Sequence, residues 1–284
     1  MDKCTYKTFE TAWCPGCGDF NILEALKNAL ISLKKKPHEV LVVGGIGQAA
    51  KTAQYINTNG FCGLHGRAIP PAAAAKIANK NLTVIINTGD GDTYGEGGNH
   101  FIHNIRRNVD ITHFVHNNQI YGLTKGQASP TTDLGHRTAV QPEGSINFPI
   151  NPVLTAISLG AGFVARAFSG ELEHLTSIME EAIKYRGYAL VDILQPCVSF
   201  NKINTFSWYS KRVYKLDDSY DCTDKLKAME KAMEWGDKIP IGIIFKKEME
   251  TYHDKVDFLK NKEPLVYQEP VSKEKINDMI REFA

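Results

Sequence analysis

The chain has 284 residues, 43% of them hydrophobic and 10% aromatic. That is enough apolar material for a sizeable core, and it argues against intrinsic disorder. Thirty-three Lys and Arg against thirty-two Asp and Glu leave a net charge of +1, so there is no basic surplus to grip a nucleic-acid backbone.

The first thirty residues carry Glu10, Asp19 and Glu24 and no uninterrupted apolar run, so no signal peptide is expected. The longest apolar stretch, Pro152 to Phe168, is interrupted by Ser158 and Arg166 and carries Gly160 and Gly162, which argues against a membrane span. Six cysteines in a chain of this length are too few for a disulfide framework. The expectation is a soluble, cytoplasmic, globular protein.

In chain order, Cys14-Pro15-Gly16-Cys17 comes first, a spacing that points to metal or redox chemistry. Asp19 then offers a cap to a helix with apolar positions Ile22, Leu23, Leu26, Leu30 and Leu33. Val40 to Val43 reads as a strand stopped by Gly44-Gly45-Ile46-Gly47. The spacing predicts a helix over 72–80, a buried strand over 82–87 and a turn at Gly89-Asp90-Gly91-Asp92. A helix over 99–107 and a strand over 111–115 follow, ended by Asn117-Asn118. The stretch 121–151 is a long loop rich in Gly, Pro, Ser and Thr, and loops of that length without structure of their own are usually functional.

Helix and strand then alternate: helix 153–159, strand 163–167, helix 171–185, strand 189–194. Continuous apolar strands alternating with helices predict an α/β fold, a mostly parallel sheet with helices on both faces. From about Ser219 the composition turns to Lys, Glu and Asp, with one apolar run at 239–245. The expected division is a main domain over 1–210, carrying the CxxC segment, and a small C-terminal extension over 211–284.

The strongest chemical signal is Gly89-Asp90-Gly91, then twenty-five residues, then Asn117-Asn118. Ligands of open α/β sheets bind at the carboxyl ends of strands, and both halves of this pattern lie there. Asp90 offers a carboxylate, Asn118 an amide oxygen and Ile120 a backbone carbonyl. Three oxygens are the protein share suited to an octahedral Mg²⁺ that keeps one water and takes two oxygens from a diphosphate. A plain turn is the bland alternative. A calcium loop fails, because its fifth and twelfth positions are Tyr94 and Phe101, which offer no carboxylate.

The GDG-(25)-NN spacing resembles the thiamine-diphosphate signature. Together with Trp13-Cys14-Pro15-Gly16-Cys17-Gly18, Gly45-Ile46-Gly47, Gly63-Leu64-His65-Gly66-Arg67 and Tyr121-Gly122-Leu123-Thr124-Lys125-Gly126-Gln127, the set is similar to the β subunits of 2-oxoacid:ferredoxin oxidoreductases, of the type often assigned to 2-oxoglutarate. The resemblance runs from about residue 10 to 210, in the family's order. It implies the thiamine-diphosphate-binding fold, with oxidative decarboxylation of a 2-oxoacid to its acyl-CoA and electrons passed to ferredoxin. An α subunit would supply the second half of the cofactor site.

Residue by residue, Asp90, Asn118 and the Ile120 carbonyl match the family's Mg²⁺ ligands. Ile46, Gly47, Gln48, Ala49, His65, Gly91, Asp92, Gly122 and Leu123 match the stretches lining the cofactor. Lys51 matches a position that can face the 2-oxoacid carboxylate, and His65 one that can contact the cofactor. Read without the resemblance, Lys51 is a solvated lysine and His65 a core histidine.

For the CxxC alone, an iron–sulfur cluster, a thioredoxin-like redox pair and a zinc site compete evenly. The resemblance implies a [4Fe–4S] cluster on Cys14, Cys17 and Cys197. Many members of the family carry a fourth Cys directly after Gly-Ile-Gly, where this chain has Gln48, with Cys62 the other thiol to consider. A non-oxidative thiamine-dependent decarboxylase or synthase, and a non-catalytic assembly protein on the same fold, are the alternatives.

Overall fold

Residues 5–283 are described by the structure, a computed structural model. The strands are β1 (Val40–Gly44), β2 (Asn59–Cys62), β3 (Thr83–Gly89), β4 (Thr112–Asn117), β5 (Ile120–Tyr121), β6 (Gln127–Ala128), β7 (Phe163–Phe168), β8 (Ala189–Leu194), β9 (Val213–Lys215) and β10 (Ile239–Lys246). The helices are α1 (Asp19–Ser32), α2 (Thr52–Tyr55), α3 (Ile69–Ala78), α4 (Gly98–Arg107), α5 (Pro152–Leu159), α6 (Leu172–Lys184), α7 (Phe206–Ser210), α8 (Lys225–Met233), α9 (Tyr252–Lys255) and α10 (Lys273–Arg281).

Eight strands form one sheet in the order β2-β1-β3-β4-β8-β7-β10-β9. The first six run parallel. Strand β10 lies antiparallel to β7 and parallel to β9. Beyond residue 210, therefore, the charged part of the chain still contributes two strands to this sheet.

The apolar strands are continuous because both faces are buried. Val40, Val42, Ile85, Phe114, Ala165, Val191 and Ile193 face a core filled by Ile22, Leu26 and Leu30 of α1 and by Leu175 and Met179 of α6. The intervening Val43, Val84, Ile86, Val115, Val164 and Leu190 face the opposite core, with Ala72, Phe101, Ile105, Val153 and Ile157 from α3, α4 and α5. A period of two sends alternate side chains to opposite layers, so no polar face is left to produce hydropathic alternation.

Two local expectations change. Asp19 does not cap α1. Gly18 takes that position without a side-chain cap, and the Asp19 carboxylate turns inward, its Oδ1 2.7 Å from His116 Nδ1. The Gly89–Asp92 segment is more than a turn: β3 runs to Gly89 and a π-helical turn follows at Gly91–Glu96, a distortion that recurs at functional sites.

Candidate active site

Strands β3 and β4 are adjacent and parallel, with Gly89 opposite His116. Asp90 and Asn118 therefore emerge side by side at the carboxyl end of the sheet. Between Asn118 and Ile120 stands Gln119 in the left-handed region (φ 58°), a conformation that a non-glycine residue holds only when its surroundings fix it. Its Nε2 donates to the Thr131 carbonyl at 2.9 Å and to Asp133 Oδ1 at 3.2 Å, while Tyr209 Oη donates to its Oε1 at 3.1 Å. The reversal lets Asn118 and Ile120 both line one cavity.

That cavity has a volume of about 370 Å³. Ile46, Gly47, Gln48, Ala49, His65, Asp90, Gly91, Asp92, Asn118, Ile120, Gly122 and Leu123 all form its wall, so four segments separate in sequence meet there. Lys51 is half-buried in the turn after Ala49 and is not part of the wall.

Asp90 is buried, and its Oδ2 accepts hydrogen bonds from Ser129 Oγ at 2.5 Å and Thr131 Oγ1 at 2.6 Å. Burial pushes its carboxyl up to about 6, against the opposing pull of these two hydroxyls. Thr131 Oγ1 also contacts Asn117 Oδ1 at 2.9 Å, and Asn117 Nδ2 donates to Asp192. Ser129 and Thr131 escape sequence reasoning as site residues. Their only signal is the Ser129-Pro130-Thr131-Thr132 run in a long loop. Thr131→Val removes a hydroxyl that stabilises the Asp90 carboxylate. The expected result is an upward shift in the pH midpoint of Mg²⁺-dependent cofactor binding, measured by titration calorimetry across pH 5 to 8.

Asp92 pins the wall together. Its Oδ1 accepts from the Ile46 amide at 3.1 Å and the Gly66 amide at 2.8 Å, joining the Gly-Ile-Gly turn to the His65 loop. Gly91 is required by its neighbour, since a Cβ there would lie 2.2 Å from Tyr121 Cε1. Its missing side chain makes room for this aromatic ring rather than for a ligand.

Three features fit a bound diphosphate cofactor with its metal. Gly47 and Gly89 line the cavity with open space where a Cβ would stand. Gln48 Oε1 and Asp92 Oδ2 are buried without a hydrogen-bond partner, a costly arrangement unless something else engages them. Among the described residues Asn118 Oδ1 accepts from the Ile120 amide, at 3.0 Å, and a carboxamide oxygen has a second lone pair for a hard cation.

The cysteines gather beside this cavity. Strand β8 ends at Leu194, next to β4, and delivers Gln195-Pro196-Cys197. A Cβ on cavity residue Gly122 would lie 4.0 Å from Cys197 Sγ. Gln195 Nε2 donates to Cys17 Sγ at 3.3 Å and Ser199 Oγ to Cys14 Sγ at 3.1 Å, so the segment after β8 grips both N-terminal thiols. Trp13 Nε1 donates to the Gln48 carbonyl at 2.9 Å, tying the CxxC segment to the cavity wall. Burial first, then the Asp19 carboxylate, pushes the Cys17 thiol well above the ordinary thiol range. Three soft sulfur donors with hydrogen bonds to two of them suit an iron–sulfur cluster. Among the described residues no three His, Cys, Asp or Glu side chains are grouped so that they could hold a metal ion. Cys62 lies on the edge strand β2, where Gln54 Nε2 donates to its Sγ at 3.6 Å.

Comparison with known proteins agrees with this geometry. Residues 43–193 match the family described as thiamine pyrophosphate enzyme, C-terminal TPP binding domain. Residues 197–261 match the family of the C-terminal region of the pyruvate ferredoxin oxidoreductase beta subunit. The chain is 48% identical over 258 residues to a 2-oxoacid:ferredoxin oxidoreductase subunit beta from Saccharolobus solfataricus, covering 86% of this chain and 85% of the relative. It is 31% identical to a 2-oxoglutarate synthase subunit KorB from Archaeoglobus fulgidus, covering 88% and 90% of the two chains. A solved structure of 2-oxoglutarate:ferredoxin oxidoreductase from Magnetococcus marinus, with 2-oxoglutarate, coenzyme A and succinyl-CoA bound, superposes with a TM-score of 0.91 at 34% identity, covering 98% of this chain and 96% of that one. With the strand-end oxygens, the cavity and the gathered cysteines already in place, these similarities show that the chain belongs to the β subunits of the 2-oxoacid:ferredoxin oxidoreductases.

Proposed function

We propose that the chain, joined to an α subunit, oxidises 2-oxoglutarate to succinyl-CoA. One 2-oxoglutarate and one coenzyme A give succinyl-CoA, CO₂ and a proton, and two electrons leave singly for ferredoxin. The single observation that carries this reading is the convergence of Asp90, Asn118 and Ile120 on one cavity, with Cys197 beside it and the Cys17 and Cys14 sulfurs held by Gln195 and Ser199 of the same segment. Thiamine diphosphate, when bound, supplies the carbanion chemistry that cleaves the bond beside the keto group.

In this reading Asp90, Asn118 and the Ile120 carbonyl hold Mg²⁺. The walls at Ile46–Ala49, His65, Gly91, Asp92, Gly122 and Leu123 orient the cofactor. Lys51 contributes positive charge for the substrate carboxylate from just behind the Gly-Ile-Gly turn. Cys14, Cys17 and Cys197 hold three corners of a [4Fe–4S] cluster, and the fourth iron is left open or weakly held, by Gln48, a water or hydroxide, or Cys62, because a carboxamide is a poor, hard donor for this iron.

The test is an anaerobic assay of the assembled complex with coenzyme A and a viologen acceptor, with 2-oxoglutarate and pyruvate compared. A higher kcat/KM for 2-oxoglutarate, with succinyl-CoA identified by mass spectrometry, is expected. A preference for pyruvate would overturn the substrate assignment. Release of an aldehyde without reduced acceptor would overturn the oxidative reading.

A further inference from the structure

We propose that Gln195 and Ser199 are positioning residues that set the reduction potential of the electron-carrying centre, by donating hydrogen bonds to the sulfurs of Cys17 and Cys14. This inference rests on the reading that Cys14, Cys17 and Cys197 hold an iron–sulfur cluster.

The amide of Gln195 has one orientation that its surroundings accept. Its Nε2 faces two acceptors, Cys17 Sγ at 3.3 Å and the Pro196 carbonyl at 3.1 Å. A flipped amide would set its carbonyl oxygen against both. In the observed orientation its Oε1 is buried without a partner, and the residue is 1% exposed. An unsatisfied buried carbonyl destabilises the fold, so this glutamine is not explained by its contribution to stability. What it provides is a neutral donor pointed at a sulfur, in a place water does not reach. Ser199 does the same for Cys14 through its hydroxyl, at 3.1 Å from a half-buried position.

Each electron that reaches such a cluster adds one negative charge, and much of it resides on the sulfurs. No bond forms or breaks. The electron comes from substrate oxidation and leaves to ferredoxin. A donor N–H or O–H stabilises the reduced form more than the oxidised one and therefore raises the potential. The effect is larger where the surroundings are dry, which ranks Gln195 above Ser199. Asp19 acts in the opposite sense on the same sulfur. Its Oδ2 lies 3.4 Å from Cys17 Sγ, and a carboxylate disfavours added negative charge. His116 against the other carboxylate oxygen, at 2.7 Å, tempers that influence. Gln195 thus offsets a negative group that the fold has buried beside the cluster ligand.

The test uses the complete anaerobic complex, with iron content and an EPR-monitored redox titration as readouts. Gln195→Ala is expected to retain the parent iron content. Its reduction equilibrium should move about tenfold towards the oxidised form, about 59 mV more negative for a one-electron couple. Gln195→Glu should move it further, because it replaces a donor with a charge. Ser199→Ala should give a smaller shift of the same sign. Should Gln195→Ala fail to assemble, Ser199→Ala decides the matter, since it removes one oxygen at a half-buried site. Unchanged midpoints in variants with full iron content would overturn the inference and leave the cluster reading standing. Absence of iron from the parent complex would overturn that reading, and this inference with it.

Discussion

Asp90→Asn abolishes Mg²⁺-dependent thiamine-diphosphate binding while the chain remains folded: this is the expected result at the centre of the site. Asp90 is the one anionic ligand in the proposed set, and a neutral amide returns little of the attraction for a hard dication. Loss of even an outer-shell partner weakens metal sites by about 10–100-fold, so a direct ligand should cost more than about a hundredfold in cofactor affinity. The same substitution should stabilise the chain without cofactor. Burial raises the Asp90 carboxyl to about 6 from an ordinary 3.8. A buried acid with a raised value favours the folded state when protonated, and that advantage is lost as pH rises through about 6. At neutral pH the ionised carboxylate is therefore a strain on the cofactor-free fold, worth at most about 3 kcal/mol, which asparagine relieves in part. Opposite signs are expected in two measurements, a higher Tm without cofactor and no Tm increase with it. In the parent protein a proton competes with Mg²⁺, so cofactor affinity should fall as pH drops through about 6. Equal cofactor affinity in parent and variant would show that Asp90 does not hold the metal.

The chain on its own should not oxidise 2-oxoacids. Leu123, on the cavity wall, is exposed. So are other large apolar residues of the 121–151 loop, Leu134, Val140, Ile146 and Phe148, together with Phe200 and Ile203 after β8. A group of exposed apolar residues in the loop that carries a cavity-wall residue is the mark of a surface that another chain covers. Glu96 lines the cavity, and it is engaged by the Tyr121 hydroxyl, whose proton burial and Glu96 together hold in place. The acid that completes cofactor activation is therefore expected from the partner. Without the partner's share of the site the substrate is expected to be poorly oriented, and misplacement alone can cost about a hundredfold in rate. Viologen reduction by the isolated chain at more than a few per cent of the complex's rate would refute this division of labour. Recovery of activity on adding the α subunit, at the stoichiometry of the complex, is the expected positive result.

Much of this protein is determined locally and was legible in the amino-acid sequence. The alternation of apolar runs and helical stripes determines the α/β class, because a strand buried on both faces has no polar side. The GDG and NN motifs lie at the ends of apolar strands, so their meeting at one sheet edge follows once those strands are neighbours and parallel. The paired Cys14 and Cys17 mark soft-metal or redox chemistry by spacing alone. Other features depend on contacts between distant segments, and periodicity does not encode them. Strand β2 is an exposed edge, Asn-Gly-Phe-Cys, with no alternation to announce it. Strand β10 reads as an isolated apolar run in a charged region, yet it pairs with β7 and joins the main sheet. Ser129 and Thr131 reach Asp90 across 39 and 41 residues, and Gln195 and Ser199 meet the CxxC thiols across 178 and 185. Local propensity reports whether a residue is buried. Which hydroxyl lies against which carboxylate, and which amide against which sulfur, is decided only when strand order and loop closure bring those groups into contact.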